Sequence, residues 1–406
     1  MTVTIVGGWY EERCGEPHWH ELYGPGGRAA AAISNRRAAV RLRTYCPPDL
    51  RNKLQHFAQT FGFSAEGFGT AQAVTQFRYV HWLRPPQIAN GSALPEELPP
   101  IHVDGEAVIR YGFYEGDAVV NGKRVVFDPQ NAGEKLRRFH DNGSSAEELS
   151  IVCNFSEGSA LSGETVPGRI LDILLQTPRT LAVALKGGWE GVWIATRSQR
   201  QLVKPTPTRN VHKIGSGDIF TAEFGYGWMI LGLDPVEAAT RASVQVARYT
   251  DSASLPIPEG GPISEAAFPL IARRDGKQNK YDIYIAAPFF TFSQLELVEE
   301  MAELFKNAGL VVFSPYHNVG FGHARHIAKQ DMDGIRASRI LVACLDGYDP
   351  GTVFEVGFAR ALGIPVLIYA PNLSELHSTM FVGSGCEVVR DFTTAVYRAA
   401  WWAKSV

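Results

Sequence analysis

From Tyr281 to Ala370, apolar β-prone runs alternate with helical ones over short connections. "YDIYIAAPFF" restarts the chain as a strand, "LELVEEMAELFKNAG" has helical period and a Gly stop, and "LVVFSPY" is again a strand. "DMDGIRAS" predicts a short helix, "RILVACLDG" a strand, "TVFEVGFARALG" a helix and "IPVLIYA" a strand. Strands that are apolar throughout, with helices between them, belong in a parallel sheet covered on both faces. Residues 281–406 are therefore expected to form a small parallel α/β sandwich.

The preceding part mixes strands and helices less regularly. "VTIVGG", "RVVFDP", "ELSIVCNFSE" and "TLAVALKGG" are buried-strand runs ending in turn residues, and "DIFTAEFGYGWMILG" and "PVEAATRASVQVARYT" predict consecutive helices. The stretch 55–106 fits no pattern. Between the two parts, "SASLPIPEGGPISEAAF" and "ARRDGKQNK" form a Pro/Gly-rich piece and a charged run, a linker signal. The expected organisation is a first domain over 1–270, a linker over 271–280 and a second domain over 281–406.

The 406 residues suffice for two cores. A net charge of −3 with scattered Lys and Arg leaves no electrostatic footprint for nucleic acid. Five widely spaced cysteines without a C-x-x-C favour reduced thiols over disulfides or zinc. No apolar run approaches the ~20 residues that span a bilayer, and the N-terminus has no leader pattern. A cytoplasmic protein is expected.

Glu355 is a lone acid sharing a helix face with Phe358, Ala359 and Leu362. Thr352-Val-Phe-Glu355 fits a capping box, which would make the carboxylate structural. Against this, the turn Asp346 to Gly351 follows a strand and opens a helix, so it lies at the carboxyl end of a parallel sheet, where ligands bind. Gly351 permits close backbone approach there, and the helix N-terminus offers N–H groups to a polar ligand.

The run from "IYIAAPFF" through "LDGYDPGTVFEVGFARALGIPV" resembles the nucleoside 2-deoxyribosyltransferases and their relatives that hydrolyse nucleoside monophosphates, over Tyr281 to about Asp391. Ser338-Arg339 replaces the usual Ala-Asp before the strand. The resemblance implies a flavodoxin/Rossmann-like domain without a cofactor, with Glu355 as the nucleophile that forms a glycosyl ester. It implies that the Tyr284 hydroxyl holds that nucleophile and that Asp331 engages sugar or base, with Asp333 a competing neighbour. Asp349 matches a position that is acidic in the nucleoside-using branch, and its charge argues against a 5′-phosphate. "HSTMF" resembles a segment that completes a neighbouring subunit's pocket, so Ser378 and Met380 would cross an interface in a homo-oligomer; the alternative is a loop with a buried Met. The histidines of "HNVGFGHARH" (His317, His323, His326) have poor spacing for a metal and better suit a substrate-covering loop or a merely solvated one.

In the first part, Gly215, Ser216 and Gly217 precede Asp218 and a helix, so backbone N–H groups can form an anion nest. Asp218 beside such a nest suggests proton abstraction from an attacking hydroxyl; a simple N-cap is the alternative. There is no Walker-type P-loop. "IGSGDIFTAEF" resembles the G-A-G-D-x-F signature of ribokinase-like (PfkB-type) carbohydrate kinases, and the resemblance extends over about Thr2 to Pro262. It implies a ribokinase-like α/β sandwich with Asp218 as base and Gly215 to Gly217 as the anion hole. "CNFSEGSALSG" would place Asn154 and Glu157 near a Mg²⁺–phosphate network without ligating the metal directly. "ALKGGWEG" puts Lys186 and Gly187 near ATP, and "GPGGRAAAA" puts Gly26 and Gly27 at the sugar-side turn.

The acceptor end departs from that pattern. Tyr10-Glu-Glu12 stands in place of N-x-D, Ala31 in place of Asn, and His212-Lys-Ile214 in place of D-T-x. Glu12 can still accept hydrogen bonds from sugar hydroxyls; Ala31 cannot. A bifunctional enzyme acting on a nucleoside or sugar is expected. The alternatives are a degenerate kinase domain that senses a nucleotide and gates the other domain, and a nucleoside kinase with Trp9 and Tyr10 stacking on the base.

Overall fold

The computed structural model describes residues 1–69, 74–89, 98–130, 136–260, 263 and 279–404. The chain divides into two compact units, Met1–Thr208 with His212–Ser264 and Arg209–Val211 with Glu265–Val406. Of the expected linker, residues 271–278 lie outside the described residues.

The first unit runs β1 (Thr2–Val6), β2 (Glu11–Glu16), β3 (Trp19–Leu22), α1 (Gly24–Ile33), β4 (Ala39–Cys46), α2 (Arg51–Phe61), β5 (Ser64–Gly69), β6 (Gln76–His81), β7 (Gln87–Ile88), β8 (Ile101–Tyr111) and β9 (Ala118–Asp128). It continues with β10 (Ser145–Asn154), α3 (Phe155–Ser162), α4 (Pro167–Leu174), β11 (Thr180–Lys186), β12 (Val192–Thr196), β13 (Arg200–Val203), α5 (Ser216–Gly225) and α6 (Pro235–Ser252). Among the described residues, nine strands form one sheet in the order β13-β12-β11-β10-β9-β8-β1-β4-β5. It is parallel from β11 to β5, with an antiparallel edge at β12 and β13.

Alternate side chains feed two cores. Val3, Ile5 and Ile109 join the cluster that includes Ala29 to Ile33 of α1 and Phe220 and Phe224 of α5. Val6, Val108 and Ile151 join Leu161 of α3 and Ile170 and Leu174 of α4. The result is a three-layer α/β sandwich.

A second, four-stranded sheet has the order β3-β2-β6-β7. It takes in β6 and β7 of the stretch 55–106: β6 lies parallel to β2, with Glu11 opposite Gln76 and Glu12 opposite Phe77. The period of two along β2 separates its acids. Glu12 is buried, whereas Glu11 sits at the surface with Arg13 and His20.

The second unit runs β14 (Tyr281–Ala286), α7 (Phe292–Asn307), β15 (Val312–Phe313), α8 (Pro315–Asn318), α9 (Ala324–Arg336), β16 (Ser338–Cys344), α10 (Pro350–Ala361), β17 (Val366–Tyr369), α11 (Glu375–Gly383), β18 (Glu387–Val389) and α12 (Phe392–Lys404). Its sheet is parallel throughout, in the order β15-β14-β16-β17-β18. Tyr284, Leu341 and Ala343 face Ile335 of α9 and Val356 and Ala359 of α10. The strand order reverses between β14 and β16, and the crevice beyond their carboxyl ends is where such sheets bind ligands. Among the described residues, no helix is long and apolar enough to cross a membrane.

Candidate functional site

Beside that crevice, the Tyr284 hydroxyl donates to Glu355 Oε1 at 2.6 Å. Tyr284 stands in β14, wholly buried, with its ring stacked on Phe313 at 5.3 Å between centroids. The phenol is therefore fixed by the core before it holds the acid. Burial pushes Glu355 up to about 8, helped by the charges of Asp331 and Asp349, while the Tyr284 hydrogen bond opposes the shift. Asp331 lies in α9, and burial pushes it up to about 6. Its Oδ1 is buried without a hydrogen-bond partner. Asp333, two residues on, turns to the surface and pairs with Arg336 at 3.0 Å.

The capping-box alternative does not hold. Asp349 is the N-cap of α10, its Oδ2 accepting from Thr352 N at 2.7 Å and Thr352 Oγ1 at 2.9 Å. Glu355 lies a turn further on and caps nothing, leaving its carboxylate to Tyr284. Gly351 is exposed, and a Cβ there would stand 3.0 Å from Asp349 Oδ2. Ser378 and Met380 lie on α11, where Ser378 Oγ donates to Glu375 O at 2.7 Å and Met380 is 77% exposed. The expected alternative of a buried methionine thus fails. His317 pairs with Glu299 at 3.0 Å, and His323 precedes α9. Among the described residues, no group of three or more His, Cys, Asp or Glu could hold a metal.

In the first unit, a cavity of about 610 Å³ brings together Glu12, Asn154, Glu157, Lys186, Gly215, Gly217 and Asp218. Gly215 precedes α5 with φ +66°, a conformation that favours glycine, and no side chain caps the helix. Arg28, only 1% exposed, donates from Nη1 to Glu12 Oε1 and to Asp218 Oδ2, both at 3.1 Å. Gln130 Nε2 donates to Asp218 Oδ1 at 2.7 Å. Both oxygens of the expected base thus already carry a protein donor. Burial raises Glu12 although Arg28 opposes the shift.

Asn154 and Glu157 form a capping box at the start of α3: Glu157 N donates to Asn154 Oδ1 at 2.8 Å and Asn154 N to Glu157 Oε2 at 2.7 Å. Lys186 donates to Asp128 Oδ2 at 2.6 Å. Burial opposes its charge, yet Asp128 and Glu157 more than offset this and raise the ammonium. Gly187 N donates to Gly191 O at 2.8 Å in the turn after β11. Ser216 N donates to Lys213 O at 3.1 Å. Gly26 and Gly27 lie in the first turn of α1, and Gly26 N donates to Gly8 O at 2.9 Å. Tyr10 lines this cavity with Phe77, Tyr79 and Trp82. Trp9 does not. It lines a separate cavity with Tyr23 and Phe57, so it is not placed to stack on a ligand beside Tyr10.

Comparison with known families bears on the second unit. Residues 283–392 match the family model described as nucleoside 2-deoxyribosyltransferase. The matched deoxyribosyltransferase segment contains Tyr284, Asp331, Asp349, Glu355, Ser378 and Met380. No curated protein sequence matches the chain. Solved structures similar to it include ribokinase from Thermotoga maritima, at 16% identity and a TM-score of 0.46, covering 64% of this chain and 96% of that one. A fructokinase from Vibrio cholerae O395 in fructose-, ADP- and calcium-bound form has 14% identity, a TM-score of 0.45 and coverages of 62% and 93%. A pyrophosphate-dependent kinase in the ribokinase family, complexed with a pyrophosphate analog and myo-inositol, has 12% identity, a TM-score of 0.45 and coverages of 62% and 95%.

Outside the deoxyribosyltransferase segment, sequence reasoning missed Arg28, Gln130 and Lys213, all of which line the first unit's cavity. Arg28 directly follows the di-glycine turn, and Lys213 falls inside the departure His212-Lys-Ile214. For Lys213, a charge in place of a hydroxyl residue was the available signal.

Proposed function

We propose that residues 281–406 cleave or exchange the N-glycosidic bond of a nucleoside through an ester on Glu355, and that residues 1–270 phosphorylate a sugar or nucleoside hydroxyl with Asp218 as base. The Tyr284–Glu355 hydrogen bond of 2.6 Å carries the first half. With Oε1 held, Oε2 is the oxygen that attacks C1′. A C1′–O bond forms as the C1′–N bond breaks, the electron pair leaves with the base, and Asp331 supplies the proton that base takes up. Water or a second base then attacks C1′ from the other face, its proton passing to Asp331 as the C1′–O bond to Glu355 breaks and frees the carboxylate. The charge of Asp349 disfavours a 5′-phosphate at the helix start. A homo-oligomer through this domain suits α11, whose Leu376, Met380 and Val382 are exposed apolar residues.

In the first unit, the helix N-terminus at Gly215–Gly217, the unpaired Arg28 Nε–H and the Lys186 ammonium suit a polyphosphate. ATP with Mg²⁺ would supply an electrophilic phosphorus whose charge the metal partly neutralises. Asn154 and Glu157 face that end, Lys186 and Gly187 the nucleotide, and Asp218 takes the acceptor's proton. Glu12 accepts from acceptor hydroxyls.

Incubation of the full chain with a nucleoside panel, scored for free base by chromatography, tests the first half. Base release from at least one nucleoside is expected, falling about a thousandfold or more in Glu355→Gln. Intact nucleosides throughout would sink it.

A second reading draws on the Arg28 bridge between Glu12 and Asp218: the first unit binds a nucleotide as a sensor and does not transfer phosphate. Calorimetry with ATP analogues against ATP turnover separates the two. Turnover that disappears in Asp218→Asn eliminates the sensor reading.

A further inference from the structure

Three cationic side chains reach the loop that opens α5. Lys186 Nζ stands 3.5 Å from where a Cβ on Gly217 would be, and Asp128 neutralises it. Arg28 crosses Gly215, with two acids as partners and its Nε–H unpaired in a side chain 99% buried. Lys213 differs from both. Its Nζ donates to Ser216 Oγ at 2.9 Å, and among the described residues no carboxylate pairs with it.

Lys213 is half-buried, and an ammonium partly withdrawn from water without a counter-charge is unfavourable. Burial and the Lys186 charge accordingly push Lys213 down to about 8, with Asp218 opposing the shift. On the same side, the first N–H groups of α5 have no capping side chain. The missing partner is an anion that meets an ammonium, a guanidinium N–H and a helix N-terminus together. A phosphate group has oxygens for all three.

We infer that Lys213 is a binding residue for the terminal phosphate of the phosphoryl donor, with Arg28 Nε–H as its second contact. The inference rests on the kinase reading of the first unit and adds to it a cation that the carbohydrate-kinase pattern lacks at this position.

The test uses the full chain and inorganic tripolyphosphate in calorimetry at pH 8, in two buffers of different ionisation enthalpy. Wild type is expected to bind with uptake of up to about half a proton, as the bound anion raises a lysine that titrates near that pH. Lys213→Met should weaken binding about tenfold or more and lose that proton uptake. Lys213→Arg keeps the charge and should retain most of the affinity, which separates loss of charge from loss of fold. Unchanged affinity and proton balance in Lys213→Met overturn the inference and leave the kinase reading standing. If wild type binds neither tripolyphosphate nor ATP, the kinase reading falls and the inference with it.

Discussion

Glu355 is a carboxyl group whose proton the fold retains. An ordinary Glu titrates near 4.5, and this one is pushed up to about 8, first by burial. The unfolded chain therefore releases that proton at lower pH than the folded one, so the second unit loses stability as pH rises from 4.5 to about 8. Glu355→Gln removes this dependence. Its thermal midpoint should match wild type near pH 4 and exceed it by a few degrees at pH 8, read by calorimetric scans at both pH values. Attack needs ionised Glu355 and departure of the base needs protonated Asp331, so kcat/KM for base release should climb about tenfold per pH unit below about 6, run flat between 6 and 8, and fall beyond an upper break at about 8. Tyr284→Phe removes the bond that favours the charge and should move that break to higher pH. A profile that stays put would mean the phenol does not act on the carboxylate.

The elements around each site show which local rules hold. Strands β14, β16 and β17 and helices α7 and α10 were legible because each strand carries an apolar run and each helix has its period. The four-stranded sheet was not, since β3 has four residues and β7 two, and β2 finds its partner β6 far along the chain. The cap of α10 misled for a similar reason: Thr352 and Glu355 have the right spacing, but Asp349 reaches the Thr352 amide first. Arg28 and Asp218 were unreadable as a pair because 190 residues separate them. The di-glycine turn carries a structural demand as well. A Cβ on Gly26 would stand 2.6 Å from Gly7 O and 2.7 Å from Gly7 C, and backbone cannot give way. Gly26→Ala should cost the first unit about 3 kcal/mol in urea denaturation. Gly27→Ala, which meets the Trp9 ring edge at 2.8 Å, should cost less. Equal losses would contradict this account.

At the scale of the molecule, the two proposed chemistries suit one another: one would release a sugar, the other would phosphorylate a hydroxyl. If they work side by side, Asp218→Asn should leave base release within about twofold of wild type, and Glu355→Gln should leave ATP turnover equally unaffected. A change of tenfold in either crossed assay would favour gating of one site by the other. One arrangement in the first unit reaches further. Asn154 and Glu157 hold each other's amides at the start of α3 while lining the cavity. A guest that recruits either side chain must take it from the helix, so occupancy would be written into the backbone as faster deuterium uptake at those two amides. The first turn of α3 is thus a built-in reporter for whatever the cavity admits.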